Sequence, residues 1–189
     1  MKNNVFEILV KSGAFLEGHF LLTSGRHSNQ YIEKFRLMES PEHLNKICKM
    51  MAFEFEKYKV DIVMGAAIGG ILLSSGVAKY FNKKSIFTER VSGKMKLRRG
   101  FEIKKHENVL IVEDIVTTGG SIFELVDVVE EYSGNIIGIS SIVHRSSDKI
   151  DFGYRYKPLL THHVDSWTED DIPDWLKKIP ISVHGRSGK

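Results

Sequence analysis

The sequence predicts a doubly wound α/β fold, a parallel sheet with helices on both faces. From residue 60 onward, short β-rich runs (Val60 to Met64, Ser85 to Thr88, Val109 to Val112, Ile136 to Val143) alternate with helix-length segments at 69–81 and 120–132. The runs are nearly free of charge, as strands covered on both faces should be. The chain has 189 residues, 42% of them hydrophobic and 27% charged, which suits one compact domain with room for a small appended lobe.

Composition narrows the function classes. Lys and Arg number 27 against 24 Asp and Glu, and a net charge of +3 is too slight to make nucleic acid the expected partner. The single cysteine, Cys48, excludes an intrachain disulfide or a cysteine-clustered metal site and suits a reducing compartment, so a cytoplasmic protein is expected. No apolar stretch approaches the roughly 18 residues of a spanning helix, and no membrane partner is expected.

Taken in order, Val5, Ile8, Leu9 and Phe15 fall near helical spacing, which predicts an N-terminal helix over 5–15 with Gly13 as its stop. Gly18-His19-Phe20-Leu21-Leu22-Thr23-Ser24-Gly25-Arg26-His27-Ser28 reads as an extended piece entering a Gly/Ser turn, and Tyr31 and Ile32 open another. Ser40 before Pro41 is a helix start, followed by an amphipathic segment over 41–58 that takes Cys48 into the core. The charged run Glu89 to Gly100 stands between two strands, where its glycines and basic residues predict a mobile loop. Residues 151–189 are less regular, hold Trp167, Trp175 and three of the four prolines, and are expected to return to the N-terminal lobe.

The segment richest in chemistry is Val109-Leu110-Ile111-Val112-Glu113-Asp114-Ile115-Val116-Thr117-Thr118-Gly119-Gly120-Ser121. Two adjacent acids end a buried strand, on the side of an open α/β sheet where ligands bind. The Thr/Gly turn beyond them can aim backbone amides and hydroxyls at one phosphate, helped by a helix N-terminus. The acids would repel that phosphate, so they should face vicinal hydroxyls or a divalent cation, and a phosphorylated ribose meets both demands. The plainer reading is a strand end with solvated acids and an ordinary turn.

Gly65 to Gly70 also joins a strand to a helix and could meet a second anion or simply allow close packing. It does not fit the G-x-G-x-x-G dinucleotide pattern, and Gly93-Lys94 lacks the upstream glycine of a P-loop. Lys94, Lys96, Arg98 and Arg99 could stabilise a departing anion, since each charge-assisted hydrogen bond contributes about 1.5–3 kcal/mol. Read otherwise, this is a solvated basic loop. His162-His163 invites a metal site, but adjacent histidines on a strand point in different directions.

The 109–121 segment resembles the signature of the type I phosphoribosyltransferases, which bind phosphoribosyl pyrophosphate (PRPP). Within them the chain is most similar to the orotate phosphoribosyltransferase family. The hood-like motif Gly18 to Ser28, the stretch Glu89-Arg90 through Gly93-Lys94 and Arg98-Arg99-Gly100-Phe101, and His144-Arg145 carry that likeness.

The resemblance implies a core over about 41–150 under a hood built from about 1–40 and 151–189, all one domain of residues 1–189. It implies PRPP contacts from Ile68, Gly69 and Gly70 to pyrophosphate, and from Arg90 and Lys94. It implies further ones from Glu113, Asp114, Ile115, Val116, Thr117, Thr118, Gly119, Gly120 and Ser121, the acids taking the ribose hydroxyls and the Thr/Gly loop the 5′-phosphate. Asp114, Glu113 and Lys94 would be catalytic, Thr117 would meet the base edge, and Arg145 the orotate carboxylate, for which a planar guanidinium is the bidentate match.

Mg²⁺ would be carried mainly by PRPP, with no direct protein ligand, and the enzyme would be a homodimer whose loop reaches the partner's site. Thr23 and Lys96 stand where many members have lysine and histidine, so contacts of those two are not transferred. A phosphoribosyltransferase for another base, or a non-catalytic PRPP-sensing regulator, shares the PRPP segment. The absence of an added helix-turn-helix region and the intact basic loop favour catalysis.

Overall fold

A computed structural model of the chain describes residues 2–146 and 148–184. The last five residues of the expected hood lie outside this range. In chain order the elements are α1 (Lys2–Lys11), β1 (Phe15–Leu21), β2 (His27–Ile32), α2 (Lys34–Met38), α3 (Pro41–Phe53), β3 (Ile62–Ala66), α4 (Gly69–Phe81), β4 (Lys84–Val91), β5 (Lys94–Leu97) and β6 (Asn108–Val116). They continue with α5 (Gly120–Glu131), β7 (Asn135–His144), β8 (Tyr156–Thr161), β9 (Ser166–Trp167), α6 (Asp174–Lys177) and β10 (Ile181–Val183).

Six strands form the main sheet in the order β5-β4-β3-β6-β7-β8, parallel except for the edge strand β5. The period-2 alternation of its central strands divides the core. Val63, Leu110 and Val112 pack with Leu73 and Val77 of α4 and Ile47 and Met51 of α3. Ile62, Met64, Val109 and Ile111 point the other way, onto Ile122, Leu125 and Val129 of α5. Helices therefore cover both faces, as the charge-free runs predict. Chain order runs outward through β4 on one side of the β3/β6 pair and through β7 and β8 on the other, so the topological switch point lies between β3 and β6.

A second, four-stranded sheet, β10-β1-β2-β9, draws on both ends of the described chain. Trp167 and Trp175 meet edge to face at 6.0 Å in this region. Among the described residues no helix is long and apolar enough to cross a membrane.

Several local expectations need correction. The first helix stops at Lys11, because Gly13 at φ 69° turns the chain, and Phe15 opens β1 instead of closing the helix. The helix from Pro41 ends at Phe53, short of 58. The helix α2 was not foreseen. β8 joins the main sheet beside β7, so residues 156–161 belong with the core, while β9 and β10 pair with the N-terminal strands. Glu89 to Gly100 is mostly a β-hairpin: β4 runs on to Val91, Ser92 and Gly93 turn at φ 50° and 83°, and β5 pairs back. Met95 and Leu97 pack toward the α5 side of the core while Lys94 and Lys96 face water. That alternation, visible in the sequence, outweighs the glycines.

Candidate active site

The carboxyl edge of β3 and β6 gathers most of the expected residues. These strands are parallel neighbours, with Gly65 opposite Val112, so the turns that follow them lie side by side. Gly65 and Gly70 approach so closely that a Cβ on Gly65 would sit 2.8 Å from the Gly70 Cα. A Cβ on Gly69 would strike the Asp114 carboxylate. Only glycine lets this turn close on itself and lie against the acid pair of β6. Gly69 begins α4 and Ile68, 72% exposed, stands outside it.

Glu113 and Asp114 lie within β6 itself, 7% and 4% exposed. Each carboxylate folds back onto the backbone: the Asp114 amide donates to Glu113 Oε1 at 2.9 Å and the Ile115 amide to Asp114 Oδ1 at 2.6 Å. Lys34 Nζ of α2 lies 2.7 Å from Asp114 Oδ2. Burial, reinforced by the neighbouring Asp114 charge, pushes the Glu113 carboxyl up to about 8, against the Asp114 amide bond and Lys34, which lower it. Lys34 thus sets a cation against the Asp114 side of the pair, and burial favours the protonated form of Glu113.

Val116 ends β6, Thr117 is half-buried, and Thr118, Gly120 and Ser121 are exposed. Gly119 caps α5 in the left-handed region at φ 82° without a side-chain hydrogen bond to the helix end. The first amides of α5 are therefore free of any side-chain cap, the arrangement that receives a phosphate.

Arg145 follows β7 directly, and its amide donates to the Val116 carbonyl at 2.8 Å. Thr117 and Arg145 are thereby brought together at the ends of adjacent strands. Burial lowers the guanidinium's pKa and Tyr31 opposes that shift; among the described residues the side chain has no ion pair or hydrogen bond. Beneath it, Ser141 and Tyr156 share a hydrogen bond of 2.7 Å, Tyr156 lies 3.3 Å from His144 Nδ1, and His144 Nε2 reaches the Asp148 carbonyl at 2.9 Å. Burial pushes the Tyr156 phenol up to about 12.

The basic hairpin stands apart. Arg90 pairs with Glu124 of α5 at 2.8 Å, and Glu124 also accepts from the Met95 amide at 3.3 Å. Lys94 is exposed, with no ion pair among the described residues, and the hairpin as seen does not set it against the acids. Arg99 is held by Glu89 at 2.8 Å. His162 bonds Gln30 Oε1 at 2.9 Å between Phe6 and Phe15, a packing role, while His163 lies 3.2 Å from Asp165. Lys34, Tyr31, Glu124 and the Ser141–Tyr156–His144 chain were missed by sequence reasoning. For Lys34 no local signal existed.

A family model described as the phosphoribosyl transferase domain matches residues 36–168. An orotate phosphoribosyltransferase of Thermoanaerobacter sp. (strain X514) is 43% identical over 184 residues, covering 97% of each chain. One from Thermotoga maritima is 43% identical over 182 residues, 96% of this chain and 97% of its own. The chain belongs to the orotate phosphoribosyltransferase family. Solved structures agree on the fold: orotate phosphoribosyltransferase from Aeropyrum pernix superposes with a TM-score of 0.67 at 24% identity, covering 83% of this chain and 93% of that one. Adenine phosphoribosyltransferase from Thermoanaerobacter pseudethanolicus gives 0.62 at 16%, covering 70% and 88%.

Proposed function

We propose that this protein transfers the phosphoribosyl group from PRPP to N1 of orotate, forming orotidine 5′-phosphate and pyrophosphate, a step of pyrimidine biosynthesis. The observation that carries the choice of base is Arg145, a half-buried guanidinium next to Thr117 that has no counterion among the described residues. A half-buried guanidinium with open donors gains from an anionic partner, and a planar carboxylate on a pyrimidine supplies one.

In this reading Thr117, Thr118, Gly119, Gly120 and Ser121 hold the 5′-phosphate, with Ile115 and Val116 leading into the loop. Ile68, Gly69 and Gly70 meet the pyrophosphate. Asp114 and Glu113 take the ribose hydroxyls, with Glu113, protonated, able to donate and Asp114 able to accept. As the bond from the anomeric carbon to pyrophosphate breaks, that carbon gains positive charge, and the hold of the acid pair on the ribose hydroxyls keeps it oriented for attack. Pyrophosphate leaves with the electron pair of the broken bond, orotate N1 forms the new bond with its own lone pair, and the N1 proton passes to the departing pyrophosphate.

Among the described residues no three His, Cys, Asp or Glu cluster as a metal cage, and Asp114 is already neutralised by Lys34. The donor set therefore suits Mg²⁺ carried by PRPP oxygens and water. When bound, the ion would offset charge on the departing pyrophosphate.

The small sheet serves as the hood in this reading, over a single domain, and the lone buried Cys48 suits a reducing cytoplasm. Lys94 and Arg90 act by hairpin movement, with Lys94 reaching the other subunit of a homodimer. Mixing a Lys94→Ala chain with an Asp114→Asn chain should then restore part of the activity that each lacks. Mixtures no better than their parents would argue against sharing.

The deciding experiment is pyrophosphate release from PRPP and Mg²⁺ with orotate, uracil, adenine and hypoxanthine. Orotate should be used at least about 100-fold better than uracil, as expected for a base that alone pairs with Arg145. Equal use of uracil would overturn the assignment.

A further inference from the structure

Asp114 is constrained on both oxygens. Oδ1 accepts the Ile115 amide at 2.6 Å, and Oδ2 is 2.7 Å from Lys34 Nζ. Lys34 is itself held: its side chain is 34% exposed and its ammonium lies 5.6 Å from the centre of the Phe35 ring. The helix that carries it is braced at both ends. Glu33 caps it by accepting from the Phe35 amide at 3.3 Å, and Met38 places its Cε 3.3 Å from where a Gly69 Cβ would be. One short helix thus touches the acid pair with its first residue and the neighbouring glycine turn with its last.

Without Lys34, the Asp114 carboxylate would lie beside Glu113 at 4% exposure with no opposing charge paired to it among the described residues. Such a carboxylate must swing toward water or take up a proton. Either change removes the acceptor that a sugar hydroxyl would use.

We propose that Lys34 is a positioning residue for PRPP use, acting through Asp114 by holding the carboxylate in one orientation and keeping it an acceptor. This rests on the reading of Asp114 as a ribose ligand. It adds a requirement from outside the strand-and-loop segment that carries the family likeness.

The test is steady-state kinetics of the full chain in five forms: the parent, Lys34→Met, Lys34→Arg, Asp114→Asn, and the double variant Lys34→Met/Asp114→Asn. Lys34→Met should lower kcat/KM for PRPP by about 10- to 100-fold, the loss of one charge-assisted hydrogen bond, with KM for orotate unchanged at saturating PRPP. Lys34→Arg should recover most of the loss, which a merely structural lysine would not require. In the Asp114→Asn background, Lys34→Met should add less than about 3-fold, because the two act as one unit.

Losses that multiply in the double variant would mean that Lys34 acts on substrate directly, and the proposal falls. A Lys34→Met enzyme within about 2-fold of the parent, beside an impaired Asp114→Asn, would also overturn it while sparing the ribose reading. If Asp114→Asn itself uses PRPP normally, it is the ribose reading that fails.

Discussion

Replacing Glu113 by Gln tests the protonation state on which the acid pair depends. In the folded chain burial pushes this carboxyl from 4.5 up to about 8. Between those values the folded protein keeps a proton that the unfolded chain has released. Stability therefore falls as pH rises through this window, and levels off above it. Inside the window each pH unit removes about 1.4 kcal/mol. Unfolding 189 residues carries an entropy of about 0.4 kcal/mol per kelvin, so the loss is about 3–4 °C in Tm per pH unit.

Gln keeps the uncharged shape at every pH, and its amide oxygen can still accept from the Asp114 amide, as Glu113 does at 2.9 Å. Calorimetric scans of parent and Glu113→Gln at pH 5.5, 6.5 and 7.5 isolate the effect, because other titrating groups cancel in the difference. The variant's Tm should gain on the parent by about 3 °C per pH unit. A difference that stays constant would refute the reasoning, since it would mean that Glu113 ionises in the folded protein as it does in water.

Arg145→Ala should lower kcat/KM for orotate by at least about 10-fold with little change in KM for PRPP, and Arg145→Lys should recover only part, because a lysine lacks the planar fork. Substrate-saturation curves for both substrates measure it, and unchanged orotate kinetics would remove the assignment. Gly119→Ala adds a Cβ 2.7 Å from Phe152 Cε1 at a backbone φ of 82°. Phe152 is 4% exposed and packed against Phe123 and Tyr156, so it has little room to yield. The strain should cost about 2 kcal/mol, read as a Tm lowered by about 4–8 °C.

The parts of this protein that were legible beforehand are those decided within a turn or two of chain. The helix Gly69–Phe81 has its expected bounds because a Gly-rich strand end starts it and Asn82, left-handed at φ 51°, stops it. The acid pair and the Thr/Gly turn were readable for the same reason, since strand, acids and helix start are consecutive. At Lys94–Leu97 glycine and charge predict a loop where a hairpin forms, because the two-residue alternation lasts for only four residues. The place of β8 depended on which sheet edge was open, and nothing in Tyr156–Thr161 states that.

What the sequence determined by itself was the α/β class, the alternation of strands and helices from β3 to β7 apart from the β5 hairpin, and the stretch where chemistry gathers, because periodicity and turn chemistry are local. Only the tertiary structure decided that Lys34 pairs with Asp114, that burial pushes the Glu113 carboxyl up, and that Arg145 stands beside Thr117 with no counterion among the described residues. Those are properties of burial and of pairs distant in the chain. The electrostatics of a site follow from what is packed around it, and that is settled only when the elements meet.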